Sequence, residues 1–407
     1  MTAPKLRLAG FKEPWSPKRL GATGRILQER TSDFARYPLY SLTIEKGVTK
    51  KTERYERGFL VSKTGDIFKI VHPGNFVTNP MNLRFGAVGY SKEKDDVSVS
   101  GYYDVFELDD NKCSPFWFNF LKREEMKKRY EDIATGSLIE KKRVHVNDLL
   151  NLELPIPELE ERKSLGEYLT SLDRLIDAEA LRLESLLKLK SACLAKMFAQ
   201  GGECCPRIRL EGFTGSWVKK VLGECGNTYN GLNGKTKSDF GHGNAFYVPY
   251  VNVYQNAIAD VSLLDRIEID LNQNEVRKGD VLFTTSSETP DEVGLTSVWL
   301  GDASNVYLNS FCFGYRPNVE FDQWFLANVL RADDFRRQMY VLAQGISRYN
   351  ISKTSVMNLS FYAPPTIEEQ KAIGVAFRNL EEAMTLQVKK IDRLRHMKLA
   401  CMERMFV

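Results

Sequence analysis

The chain contains one unit written twice. Pro4, Leu8, Gly10, Phe11, Trp15, Leu20 and Gly21 recur as Pro206, Leu210, Gly212, Phe213, Trp217, Leu222 and Gly223, each displaced by 202 residues. Glu160-Glu161-x-Lys163-x-x-Gly166 recurs as Glu368-Glu369-x-Lys371-x-x-Gly374, displaced by 208. Lys190-x-Ala192-Cys193-x-x-x-Met197-Phe198 recurs as Lys398-x-Ala400-Cys401-x-x-x-Met405-Phe406 at the same 208. Between these anchors the halves differ almost completely. Such a sequence specifies a frame twice and leaves two bodies free to differ. Its 407 residues also exceed the roughly 250–300 that one core serves, so several domains are expected.

The repeated segments read as helices. Leu165, Leu169, Leu172, Ile176, Glu179, Leu183, Leu186, Lys190, Cys193 and Met197 follow the alternating spacing of a coiled-coil seam. Ile373, Phe377, Leu380, Met384, Gln387, Ile391, Leu394, Lys398, Cys401 and Met405 repeat it, and the polar interruptions coincide. Pro155 and Pro157 precede the first helix and Pro364-Pro365 the second, as proline does when it opens a helix. The boundaries expected are a variable body over 1–157, a helix over 158–199, a second body over 200–365 and a second helix over 366–407. The helices are expected to pair as an antiparallel coiled coil with a pseudo-two-fold repeat; the alternative is that each caps its own body's core. The bodies read as mostly β with some helix. Ala245–Tyr254, Asp280–Thr285, Ser310–Tyr315, Asn75–Thr78 and Gly101–Leu108 have strand character, and Pro115–Tyr130 and Phe321–Tyr340 helical character. The fold class is α+β.

Composition excludes several functions. Hydrophobic content is 43% and charged content 27%, and no stretch is apolar enough for a membrane span. The polar start is no signal peptide, so the expected location is the cytoplasm with no membrane partner. Seven cysteines without CxxC spacing fit reduced thiols, and four scattered histidines offer no metal cluster; no metal is expected. Net charge is +4, split between +6 over residues 1–157 and −3 over residues 200–365. Any nucleic-acid contact by the second body therefore needs a local basic patch. Residues 229–236, YNGLNGKT, approach a phosphate-binding loop, but Tyr229 stands where its first glycine belongs. Pro290-Asp291-Glu292 lacks a following Glu-x-Lys and reads as a turn. Pro364-Pro365 lies between Ala363 and Thr366, outside any adenine-methylation motif. No catalytic residues are expected.

Two variable bodies alternating with two near-repeated helices resemble the specificity subunits of type I restriction–modification systems. The resemblance covers essentially the whole chain and is sharpest in the second half. It rests there on Gly279-Asp280-Val-Leu-Phe-Thr-Thr-Ser, Gln344-Gly345-Ile-Ser-Arg348-Tyr-Asn350-Ile-Ser, and Pro364-Pro365 leading to Glu369-Gln370-Lys371-x-Ile373. In the first half Gly74-Asn75-Phe76-Val77 replaces Gly-Asp-Val-Leu, Arg162 replaces the usual Gln, and Gly136-Ser137 lacks the Arg-Tyr-Asn. The resemblance implies that each body is a target-recognition domain reading one half of a split, asymmetric site on double-stranded DNA. It implies that the helices hold the readers apart and dock two methyltransferase subunits, with ATP-dependent restriction subunits completing the complex. S-adenosylmethionine, ATP and magnesium would then belong to those partners, and this chain would carry no cofactor. Loop position and side-chain chemistry select candidate DNA contacts. In the first body these are Lys50, Lys51, Asn79, Asn82, Arg84, Lys141, Lys142 and Arg143. In the second they are Lys235, Lys237, Thr285, Ser286, Ser287, Ser347, Arg348 and Tyr349. Two other readings stay open: a specificity subunit whose partner is a fused nuclease–methyltransferase, and a coiled-coil adaptor that binds no DNA.

Overall fold

The computed structural model describes residues 3–45, 47–50, 67–138, 142–290, 292–345 and 348–407. The chain forms two compact units, Met1–Ala180 with Lys390–Val407, and Leu181–Lys389. Each long helix, Leu159–Lys196 and Ile367–Met405, contributes to both units.

The two units are built alike. In the first, Ser16–Arg19 pairs antiparallel with Glu153–Ile156, and a four-stranded sheet runs in the order Gly24–Leu27, Asp104–Leu108, Phe76–Thr78, Val88–Tyr90. In the second, Val218–Val221 pairs with Ser360–Ala363, and the sheet runs Gly226–Asn230, Cys312–Pro317, Val281–Thr284, Thr296–Val298. A short helix pair follows the central strand each time: Ser114–Leu121 with Glu124–Ile133, and Gln323–Val329 with Asp333–Leu342.

Three of the sequence readings need correction. Pro115–Tyr130 and Phe321–Tyr340 are not single helices: Arg123 and Ala332 are extended and interrupt them. Neither break carries a proline or glycine, so tertiary contacts impose it. Arg331 turns inward and donates to the carbonyls of Thr296, Val253, Tyr254 and Asn256. Lys122, at the corresponding place, donates to the carbonyl of Ile44 at 2.7 Å. Burial lowers the pKa of both, Arg331 to about 10. Nor is Ala245–Tyr254 one strand. The strand ends at Val248, and Pro249 leads into the helix Tyr250–Gln255, consistent with proline's fixed φ at helix starts.

The repeated residues are those that join each body to helices. In the first unit Phe406 lies 5.6 Å from Phe116, 5.8 Å from Phe120 and 6.3 Å from Trp15, centroid to centroid. In the second, Phe198 lies 5.8 Å from Phe325 and 5.4 Å from Phe377. Each core is thus closed by the Met-Phe ending of one long helix and the beginning of the other. Arg7 forks onto Glu161 at 2.7 Å, and Arg209 onto Glu369 at 2.8 Å, with both carboxylates buried. Arg162 donates to the carbonyl of Pro157, as Gln370 does to that of Pro364, so the exchange of Gln for Arg keeps one contact.

The seam residues of the long helices are all buried or half-buried. Leu165, Leu169 and Met405 join the core of the first body, and Met197, Ile373 and Phe377 that of the second. Within the first unit Tyr168 meets Cys401, Asp173 meets Lys398 at 2.6 Å and Glu179 meets Lys390 at 2.9 Å. Within the second, Lys190 pairs with Glu381. The polar seam positions Glu179, Lys190 and Lys398 thereby form cross-helix ion pairs, the kind of interaction that fixes register.

Gly374 has no room for a side chain. A Cβ there would meet Asp322 Oδ1 at 2.1 Å and Trp324 Cβ at 3.0 Å. Asp322 cannot yield freely, because its carboxylate caps the following helix at the Phe325 N–H, 2.8 Å away. Gly374→Ala should therefore cost about 1–3 kcal/mol through overpacking and a weakened cap, read as a lower thermal midpoint, whereas Ala at exposed Lys371 should change little.

Candidate DNA interface

In the second unit, three segments converge on Thr285. Its N–H and hydroxyl both donate to the carbonyl of Phe311, at 2.9 and 2.7 Å, and its own carbonyl accepts from Ile351 N–H at 3.0 Å. Ser286 and Ser287 then pair with Asn350 and Tyr349 as a two-residue ladder. Gln344 and Asn350 exchange backbone hydrogen bonds of 3.0 and 2.8 Å and close the loop that carries Arg348. Gly345 permits that closure: at φ +147° it sits where a Cβ would meet the Arg348 carbonyl at 2.0 Å.

Thr285, Ser286, Ser287, Arg348 and Tyr349 are therefore brought together; Ser347 lies outside the described residues. Ser286 and Ser287 are buried, while Arg348 is exposed. A cleft of about 340 Å³ beside them is lined by Tyr250, Tyr254, Ser286, Ser287, Glu292 and Arg348, among others. The two tyrosine rings stack at 6.1 Å, and Tyr250 donates its hydroxyl to the Ser286 carbonyl at 2.6 Å. Hydrogen bonds from Tyr254, Thr289 and Ser287 hold the Glu292 carboxyl below its usual pKa. The Asp334 carboxylate, on the helix that precedes this loop, accepts from Gly201 N–H and Arg337. Lys235 stands apart, paired with Asp270 at 2.6 Å, and Lys237 is exposed in the adjoining turn. Lys237–Asp239 leads into a strand, not the helix a phosphate-binding loop requires.

The first unit presents the corresponding loops. Val144 N–H donates to the Pro80 carbonyl at 2.9 Å, as Ile351 does to Thr285, and Thr135 and Arg143 exchange backbone hydrogen bonds as Gln344 and Asn350 do. Asn79, Asn82, Arg84, Lys142 and Arg143 fall in this region. Arg84 is buried, and both it and Lys142 bind Glu131 at 2.7 Å. Asn79 accepts from Met81 N–H within its own turn, while Asn82 and Arg143 are exposed. Lys50 is exposed at the end of a separate hairpin strand. Lys51 and Lys141 lie outside the described residues.

The contrast between Asp280 and Asn75 has a structural cause. Asp280 is buried, accepts from Arg277 N–H at 2.8 Å and Tyr229 hydroxyl at 2.6 Å, and is forked by Arg316 at 2.8 and 2.7 Å. Asn75 keeps the local bond, accepting from His72 N–H at 3.1 Å. Strand registers put Leu27 where Tyr229 stands and Glu107 where Arg316 stands. Glu107 pairs with Arg25. A neutral amide needs no buried counter-ion, so the charged partners have changed with the carboxylate.

Sequence reasoning missed Phe311, Tyr250, Tyr254 and Glu292. Tyr250 and Tyr254 lie in a segment that reads as one strand, and Phe311 in another. Among the described residues there is no cluster of metal-ligating side chains and no helix long and apolar enough to cross a membrane.

Residues 35–188 match the family model of the type I restriction modification DNA specificity domain. Over 91 residues, 22% of this chain, the sequence is 28% identical to a putative type I restriction enzyme MjaX specificity subunit of Methanocaldococcus jannaschii; the match spans 21% of that relative. The fold is similar to that of a type I restriction–modification S subunit from M. genitalium, with a TM-score of 0.55 and 14% identity, over 100% of this chain and 99% of the other. It is likewise similar to a structure concerned with complex assembly and conformational transition of the type I system, with a TM-score of 0.56 and 15% identity, over 97% and 98% of the two chains.

Proposed function

We propose that this chain, a relative of the specificity subunits of type I restriction–modification systems, is a non-catalytic subunit that selects the DNA on which its partners act. The observation that carries the reading is the duplicated frame: two units with the same four-stranded sheet order and the same helix attachment differ in the further strands and loops built around it. Duplication of a frame serves two readers, and divergence between them serves an asymmetric split site. Residues 1–157 and 200–365 are the proposed recognition domains, with 158–199 and 366–407 as spacers.

The long helices are proposed to pair antiparallel about a pseudo-two-fold axis. The descending partner numbers support this, as residues 168, 173 and 179 meet 401, 398 and 390. The seam from Leu165 to Met197 spans roughly 50 Å at 1.5 Å per helical residue, against about 34–36 Å for one DNA turn. The half-sites would then lie about one to one and a half turns apart, with an unread gap between them. Leu181, Leu187, Leu189, Leu386 and Leu399 are exposed on these helices and offer apolar surface for two methyltransferase subunits. Restriction subunits would complete the complex, and S-adenosylmethionine, ATP and magnesium would reside on those partners. The DNA contacts proposed are the exposed Lys50, Asn82, Arg143, Lys237 and Arg348 with their loop neighbours; Arg84 and Lys235 already serve ion pairs.

The test is methyl transfer to plasmid DNA by the methyltransferase subunits of the same system, with and without this chain. The expected result is modification of one split sequence only when the chain is present, and none by the chain alone. Methylation by the chain alone, or an unchanged pattern without it, contradicts the reading. A gel shift of the assembled complex separates a reader from an adaptor, which would leave duplex DNA unshifted.

A further inference from the structure

We infer that Phe311 is a positioning residue for Arg348, and that this pair reads a guanine in the half-site of the second body; the inference rests on the DNA-reading function proposed above. Phe311 is 54% exposed, so its ring contributes little to the core. Its backbone is nevertheless held firmly: its N–H donates to Asn309 Oδ1 at 2.9 Å, and its carbonyl takes both bonds from Thr285. The ring therefore projects from a rigid turn, and the Arg348 guanidinium lies 5.6 Å from its centroid. An arginine on a loop would otherwise sample many rotamers; an aromatic face restrains it while leaving its N–H fork free to bond.

The surroundings favour a base edge over a phosphate. Glu288 and Glu292 line the same cleft as Arg348, and their negative charge opposes a phosphate while leaving a neutral base acceptable. A guanidinium presents two parallel donors, which match O6 and N7 of guanine in the major groove. The buried Ser286–Ser287 ladder against Tyr349–Asn350 fixes the loop base, so the direction of the fork is set by the frame and the ring together.

The experiment uses the assembled complex, with modified sites mapped in a plasmid library carrying randomised duplex. Wild-type modification that depends on this chain tests the underlying reading separately. Given that, Arg348→Ala should relax one guanine position of a single half-site, lowering its preference by about ten- to a hundred-fold. Phe311→Ala should relax the same position less, and Phe311→Tyr should restore it, with thermal midpoints unchanged in all three. A strict position in Phe311→Ala beside a relaxed one in Arg348→Ala removes Phe311 from the mechanism. Uniform weakening at every sequence, with a shallower salt dependence, assigns Arg348 to a phosphate and overturns the inference. Relaxation at a base other than guanine overturns it as well.

Discussion

Phe406→Ala should destabilise the first unit by about 3–5 kcal/mol, the usual cost of removing a buried phenylalanine. The ring is 5% exposed and sits among Trp15, Phe116 and Phe120. It also supports Arg123, whose guanidinium lies 5.1 Å from the ring and donates to the Val407 carbonyl at 2.8 Å. The ends of helices ordinarily fray; this one completes a core that includes Trp15. Hydrogen exchange on the full chain checks it: amides of the first body should lose protection while those of residues 222–360 keep theirs. Phe198→Ala should produce the opposite pattern. Equal loss in both bodies, or none, would mean that the helix endings do not close the cores as described.

Asp280→Ala should cost about 2–3 kcal/mol, through the lost turn bond and the orphaned partners. Arg316 is 35% exposed on its side chain and can turn toward water, which keeps the loss below that of a fully buried pair. Tyr229 cannot escape as easily; burial, reinforced by the neighbouring carboxylate, holds its hydroxyl protonated far above the ordinary range. Asp280→Asn should cost less, because Asn75 shows that an amide sustains the same turn. Denaturant midpoints of the two variants measure the difference, and equal losses would place the whole effect in the charge.

The frame was legible in the sequence because packing leaves few choices. Gly166 and Gly374 recur because both lie where a helix crosses closely, with Phe116 N 3.1 Å and Asp322 Oδ1 2.1 Å from an added Cβ. Met405-Phe406 and Met197-Phe198 recur because each ends in a body's core. The seam was legible because its heptad phase is uninterrupted, although its ends belong to the bodies as much as to the helices. The proposed DNA-reading surface was only partly legible. Arg348, Ser286 and Ser287 stood out by chemistry, but Phe311 meets Arg348 through a contact between distant segments that no local pattern marks. The breaks at Arg123 and Ala332 were equally silent, because inward-turning Lys122 and Arg331 accompany them from neighbouring positions. Asn75 looked like a lost motif until strand register paired Glu107 with Arg25.

Exchange of the second body tests the central claim most directly. Residues 206–363 would be replaced by the matching body of a relative, leaving both helices and the first body intact, and modified sites would be mapped in the assembled complex. Two independent readers on a duplicated frame predict that one half of the recognised sequence changes while the other half and the gap stay the same. A change in both halves together, or in neither, would contradict it.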